Sequence, residues 1–162
     1  VGIIVPRSDG SLALMETPHV GASVQLSDPI ERMRAYRGQV YVRRRKCPLA
    51  PEQLTNLTAF ACSQAGKRYD FCGMLALPFC RPLQCLPKLT LDADELDNSR
   101  WFCSSLVIAA CVAANLVDPV DVRPKCTCPN DLMSDFLIDL SCGWHKPVPC
   151  HPHCPTTPCG PR

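Results

Sequence analysis

The sequence lacks any apolar run approaching the 18 or more residues that a membrane-spanning helix needs, and this excludes such a helix. It also lacks an excess of charge of one sign, since 17 Lys and Arg face 15 Asp and Glu for a net +2. That balance makes no electrostatic case for nucleic acid or an anionic membrane as the main partner. Nor is it poor in apolar residues: 46% of the 162 residues are apolar and 20% charged, which argues against wholesale disorder. A chain of this length fits one domain and can bury a sizeable core without staples. No signal peptide is visible and the first residue is Val1, so the chain is read as a fragment or a processed product.

What it has in abundance is Pro, 17 residues, and Cys, 13 residues. Thirteen is odd, so at least one thiol has no disulfide partner within the chain. The cysteines lack the spacing of a small disulfide scaffold, and a mostly reduced, intracellular state is favoured. Cys62 and Cys111 sit in apolar helical patterns, where a buried free thiol acts as a small hydrophobe.

Strands are expected at Val1 to Val5, at Leu12 to Glu16 across the Ser8-Asp9-Gly10-Ser11 turn, at Val20 to Leu26 and at Gln39 to Arg43. Asp28 reads as the N-cap of a helical turn opened by Pro29. The basic run Arg43 to Lys46 reads as a solvated strand end. Pro51 opens a helix to about Ala65, with Leu54, Leu57 and Ala61 on one face and Gly66 as the stop. Residues 78 to 90 read as an irregular insertion, Trp101 to Leu116 as the strongest helix, and Asp131 to Leu140 as a shorter amphipathic one. The expectation is an α+β domain over residues 1–145, followed by a Pro/Cys/His-rich tail, 146–162, without packed structure.

Cys103 falls in the first turn of the apolar helix. Unpaired backbone N–H groups and the positive end of the dipole stabilise a thiolate there. The hydroxyls of Ser104 and Ser105 and the neighbouring amides could serve an oxyanion. A thiolate nucleophile also needs a base, usually His with a third orienting group.

Several short motifs stand in a telling order: Val1-Gly2-Ile3-Ile4-Val5, Asp9-Gly10, Leu14-Met15-Glu16-Thr17 and Gly38-Gln39-Val40-Tyr41-Val42. Gly66-Lys67-Arg68-Tyr69-Asp70-Phe71, Phe102-Cys103-Ser104-Ser105-Leu106-Val107 and Pro129-Asn130-Asp131-Leu132 follow. In this order the chain resembles the permuted papain-like amidases of the YaeF/YiiX kind, relatives of NlpC-type cysteine peptidases and lecithin:retinol acyltransferase. The resemblance covers residues 1 to about 140. It implies a circularly permuted papain-like, NlpC-like fold in which an antiparallel sheet packs on the nucleophile-bearing helix.

The resemblance further implies a cysteine hydrolase that cleaves an amide through a thioester on Cys103, with Glu16 as the third residue orienting a His. Tyr69 is placed near the substrate, and no cofactor is implied. Two features depart from the pattern. Ser105 stands where the family usually has Glu, and the expected His before Val1-Gly2 would precede this chain. The base is then a His upstream of Val1, or His19, or absent from a module that only binds. The substrate classes implied are a peptide, a peptidoglycan-derived amide or a lipid acyl bond, and the chain is expected to be a monomer. An acyltransferase or phospholipase using the same thioester is the alternative.

The tail holds a rival chemistry. Cys142, His145, Cys150, His151, His153, Cys154 and Cys159 are all potential zinc ligands. Their spacing is irregular, and Pro147, Pro149, Pro152, Pro155 and Pro158 restrict wrapping, so no metal site is assigned.

Overall fold

The computed structural model describes residues 1–80 and 99–150. Strands β1 (Gly2–Pro6) and β2 (Leu12–Glu16) form an antiparallel hairpin in the register Gly2↔Glu16 to Pro6↔Leu12. The turn is closed by Arg7 N to Ser11 O at 2.7 Å and by Ser11 Oγ on the Asp9 carboxylate. Strand β3 (Gln25–Ser27) pairs with the other edge of β2. It is shorter than the expected Val20 to Leu26, because the chain bends at 19–21, where Ala22 N bonds His19 O and Gly21 has φ +86°. At Gly2 the backbones approach so closely that a Cβ would lie 2.8 Å from Met15 O. Only glycine fits there.

Helix α1 (Pro29–Ala35) starts as expected, with the Asp28 carboxylate accepting from Ile30 N and Glu31 N. Strand β4 (Val40–Val42) comes next, and then α2 (Pro51–Gln64). Helix α2 buries Leu57 and Ala61, while Leu54 is exposed and Cys62 stands in solvent rather than in the core. Gly66, at φ +83°, ends α2 in a left-handed turn that other residues adopt only with strain.

Two short strands follow, β5 (Arg68–Tyr69) and β6 (Arg100–Trp101), paired in parallel. Between them lies α3 (Phe71–Cys80), which the sequence reading missed. Residues 78–80 of the expected insertion belong to α3, with Pro78 in its last turn, and residues 81–90 lie outside the described residues.

Helix α4 (Cys103–Ala113) is the centre of the fold. Leu106 and Ala110 meet Val5, Ala13 and Met15 of the sheet together with Leu57 of α2. On its other side Ile108 meets Val122, Leu132, Ile138 and Leu140. A helix apolar on all sides must be covered on all sides. It is shorter than the expected Trp101 to Leu116 because residues 100–101 are extended in β6. At its far end Asn115, at φ +52°, allows Leu116 N to reach Cys111 O and Asn115 N to reach Val112 O. That pair of bonds stops the helix.

The expected helix from Asp131 to Leu140 is only α5 (Asp131–Ser134), preceded by a 3₁₀ turn at Pro124–Cys126. Arg43 explains the early end. Its guanidinium donates to Leu132 O at 3.0 Å and to the Asp135 carboxylate at 2.5 Å, and Leu140 N donates to the same carboxylate. The basic run is thus not merely a solvated strand end. Arg45 stacks on Trp144 with 4.6 Å to the ring centroid, and Lys46 Nζ donates to Ser141 O. Strand β7 (Val148–Cys150) pairs with β4, so the first residues of the expected unstructured tail are built into the fold. The described residues form a mixed α/β structure of five α-helices and small sheets.

Candidate functional site

The nucleophile candidate is positioned by an abrupt change from strand to helix. Phe102, fully buried and extended at φ −103° and ψ 163°, is the N-cap, so Cys103 is the first helical residue. Its thiol is half-buried. The first amides of a helix have no acceptor within it, and they point out of the end where Cys103 stands.

The neighbouring hydroxyls do not serve that end, contrary to the sequence expectation. Ser104 and Ser105 are both wholly buried. Ser104 Oγ donates to Thr127 O at 2.7 Å, and Ser105 Oγ donates to Phe102 O while accepting from Phe102 N. Ser105 therefore caps the helix in the position where the resembled family has Glu. Any oxyanion donor from α4 has to be backbone N–H.

Tyr69 is brought beside this end by the β5–β6 pairing, in which it is the register partner of Trp101, two residues before the nucleophile. Burial raises its phenol above the ordinary value first, and the charges of Cys103 and then Asp70 raise it further. The hydroxyl remains protonated at neutral pH and donates to Met74 Sδ at 3.0 Å. The charge of Cys103 is thus felt at Tyr69.

The strands under this site are held by residues that the sequence reading left without a role. Lys125 Nζ donates to Arg100 O at 2.6 Å and to the Asp70 carboxylate at 3.0 Å, and it lies 4.9 Å above the Trp101 ring. Asp70 also accepts from Gly73 N, which starts α3. Trp101 packs edge-on against Phe60, and its indole N–H donates to Gln64 Oε1, which also accepts from Lys67. The signal in the sequence was the Lys-x-Tyr-Asp motif; its partners Lys125 and Gln64 carry no local mark.

Glu16 lies elsewhere on the sheet. Alternation along β2 places it with Leu12 and Leu14, opposite the face on which Ala13 and Met15 meet α4. It is buried, 8% exposed, and its Oε1 accepts from Arg32 Nε of α1 at 2.5 Å. His19 is exposed in the turn after β2, with Nδ1 donating to Val20 O at 3.0 Å, which leaves Nε2 as the basic nitrogen. The geometry brings Cys103 and Tyr69 together, and it ties Glu16 to Arg32.

No protein-family model matches the chain, and neither a curated protein nor a solved structure is matched by it.

Hollows of about 300 and 260 Å³ flank the β4–β7 ribbon, lined by residues such as Tyr41 and Met133 or Val42 and His145. Cys103 lines neither. Of the tail's potential zinc ligands, Cys142, His145 and Cys150 are described, and His151, His153, Cys154 and Cys159 lie outside the described residues. Among the described residues no three His, Cys, Asp or Glu side chains cluster as a metal site would require. No described helix is long and apolar enough to cross a membrane.

Proposed function

We propose that the chain is a cysteine-dependent hydrolase of the permuted papain-like kind, cleaving an amide through a thioester on Cys103. The observation that carries this reading is a half-exposed thiol on the first residue of a buried helix, with a protonated phenol alongside. The thiolate attacks the acyl carbon, and the carbonyl electrons move onto oxygen. Backbone N–H groups of the first turn of α4 face that developing charge. Collapse expels the amine and leaves an acyl-thioester, which water then hydrolyses. An imidazole takes the thiol proton and returns it to the amine.

His19 is the imidazole closest in sequence to Glu16, and its free Nε2 suits the role of base. The alternative base precedes Val1. Continued two residues beyond Gly2↔Glu16, the β1–β2 register would bring that position opposite Pro18, on the face of the sheet that carries Gly2 and Glu16. Glu16 lies on the face of β2 away from α4 with Oε1 held by Arg32, so it orients an imidazole for Cys103, through Oε2, only if that ring reaches round the strand edge.

The test is an activated acyl-amide reporter followed by intact-mass analysis. A covalent adduct is expected on Cys103, and Cys103→Ala should abolish both adduct and turnover. His19→Ala should abolish turnover if His19 is the base. If it does not, adding a His before Val1 should raise turnover in a manner that Glu16→Gln reverses. Turnover that persists in Cys103→Ala overturns the reading.

A further inference from the structure

Helix α3 is left without a task by the nucleophile reading. Its ten residues, Phe-Cys-Gly-Met-Leu-Ala-Leu-Pro-Phe-Cys, include no charged side chain, yet none from Phe71 to Phe79 is buried. A helix so apolar normally lies inside a protein or against lipid.

Its exposure is ordered. Phe71, Leu75 and Phe79, spaced four residues apart on one stripe, are 48%, 57% and 82% exposed, with Cys72 and Pro78 beside them. Gly73, Met74, Ala76 and Leu77 on the other side are half-buried, and Met74 accepts the Tyr69 hydroxyl. Contiguous apolar surface of this kind marks an interaction site.

The charges around the helix start indicate the partner. Arg68 and Arg100 are register partners in the β5–β6 pair, and both are exposed. Asp70, the acid next to the helix, is neutralised by Lys125. Among the described residues, the apolar stripe thus has two guanidinium groups at one end and no uncompensated acid beside it. That combination suits a helix lying in the plane of a lipid surface with anionic headgroups. The near-zero total charge of the chain hides this local arrangement.

We propose that α3 docks the protein on an anionic lipid surface, with Phe71, Leu75 and Phe79 in the apolar boundary and Arg68 and Arg100 on the headgroups. The docking does not depend on the chemistry assigned to Cys103. It would place the nucleophile end of α4 next to the membrane, because Tyr69 joins the two.

The experiment is co-sedimentation with vesicles of phosphatidylcholine, with and without phosphatidylserine. The chain should bind the phosphatidylserine vesicles more tightly. Phe79→Asp and Leu75→Asp should each weaken partitioning by about tenfold or more, and the milder Phe79→Ser should weaken it in the same direction. Arg68→Gln and Arg100→Gln should each cost about fivefold on phosphatidylserine vesicles and little on phosphatidylcholine alone. Phe136→Asp, at an equally exposed site by α5, should change nothing. Circular dichroism confirms that each variant is folded. Absence of vesicle binding by the unaltered chain overturns the proposal, as does an equal effect of Phe136→Asp. Stripe variants that dissolve a dimer without changing vesicle binding also overturn it, in favour of a second copy as occupant.

Discussion

Cys103 and Cys111 belong to the same helix, and their reaction with iodoacetamide should separate by orders of magnitude. Burial pushes the Cys111 thiol up to about 12. At pH 8 its thiolate fraction is then about one in ten thousand, against roughly a quarter for an ordinary thiol near 8.5. Ionisation alone slows Cys111 by about a thousandfold, and lack of access to reagent slows it further. Cys62 provides the contrast of helix polarity, because it is exposed in the last turn of α2, where carbonyl ends oppose a thiolate. The expected order is Cys103 first, Cys62 next and Cys111 far behind. Cys72 shares the first-turn position on α3 and is exposed, so it should label readily as well. Preincubation with the acyl reporter should protect Cys103 and leave Cys72 reactive. Timed labelling of the native chain, quenching and peptide mass spectrometry give all four rates. If Cys111 labels within about tenfold of Cys103, the burial argument fails. If Cys62 outruns Cys103, the helix-terminus argument fails.

Three further outcomes follow from packing, capping and linkage. Leu106→Ala, at a fully buried position between the sheet and α2, should cost about 2–5 kcal/mol, read as a lower denaturant midpoint with unchanged slope. Asp28→Ala should cost about 1 kcal/mol because Ile30 N and Glu31 N lose their acceptor, and Asp28→Ser should recover much of it. Stability should fall as pH rises from about 9 towards 12, since the unfolded chain ionises Cys111 where the folded chain cannot. The unfolded state then binds fewer protons, so the slope is negative, roughly 1 kcal/mol per pH unit, and Cys111→Ala should flatten it in urea melts.

The hairpin, the Asp28 cap, helix α2 and the placement of Cys103 in the first turn of an apolar helix were legible because each rests on neighbours in sequence. Asp28 and Pro29 need only the next turn, and the Cys103 helix needs only an unbroken apolar run. Helix α3 was not legible. It lacks an amphipathic pattern and carries Pro78, which reads locally as a breaker. The ends of α4 and α5 were overextended for a different reason. Trp101 is drawn into a strand by Tyr69, and α5 stops where Arg43, from far back in the chain, takes Leu132 O and Asp135.

The site divides in the same way. Local sequence determined that Cys103 would meet the open amides of a helix, and the Lys-x-Tyr-Asp motif marked Tyr69. Only tertiary structure decided that Ser104 and Ser105 turn inward to Thr127 and Phe102, and that Lys125 ties Asp70 to the strand before the nucleophile. The carboxylate of Glu16 likewise meets Arg32 because α1 packs on that face of β2. Helix caps and amphipathic faces are set within a few residues, where chain connectivity supplies the geometry. Which hydroxyl finds which carbonyl, and which cation reaches a carboxylate, depends on surfaces that come together only when the sheet, α4 and the C-terminal segment pack.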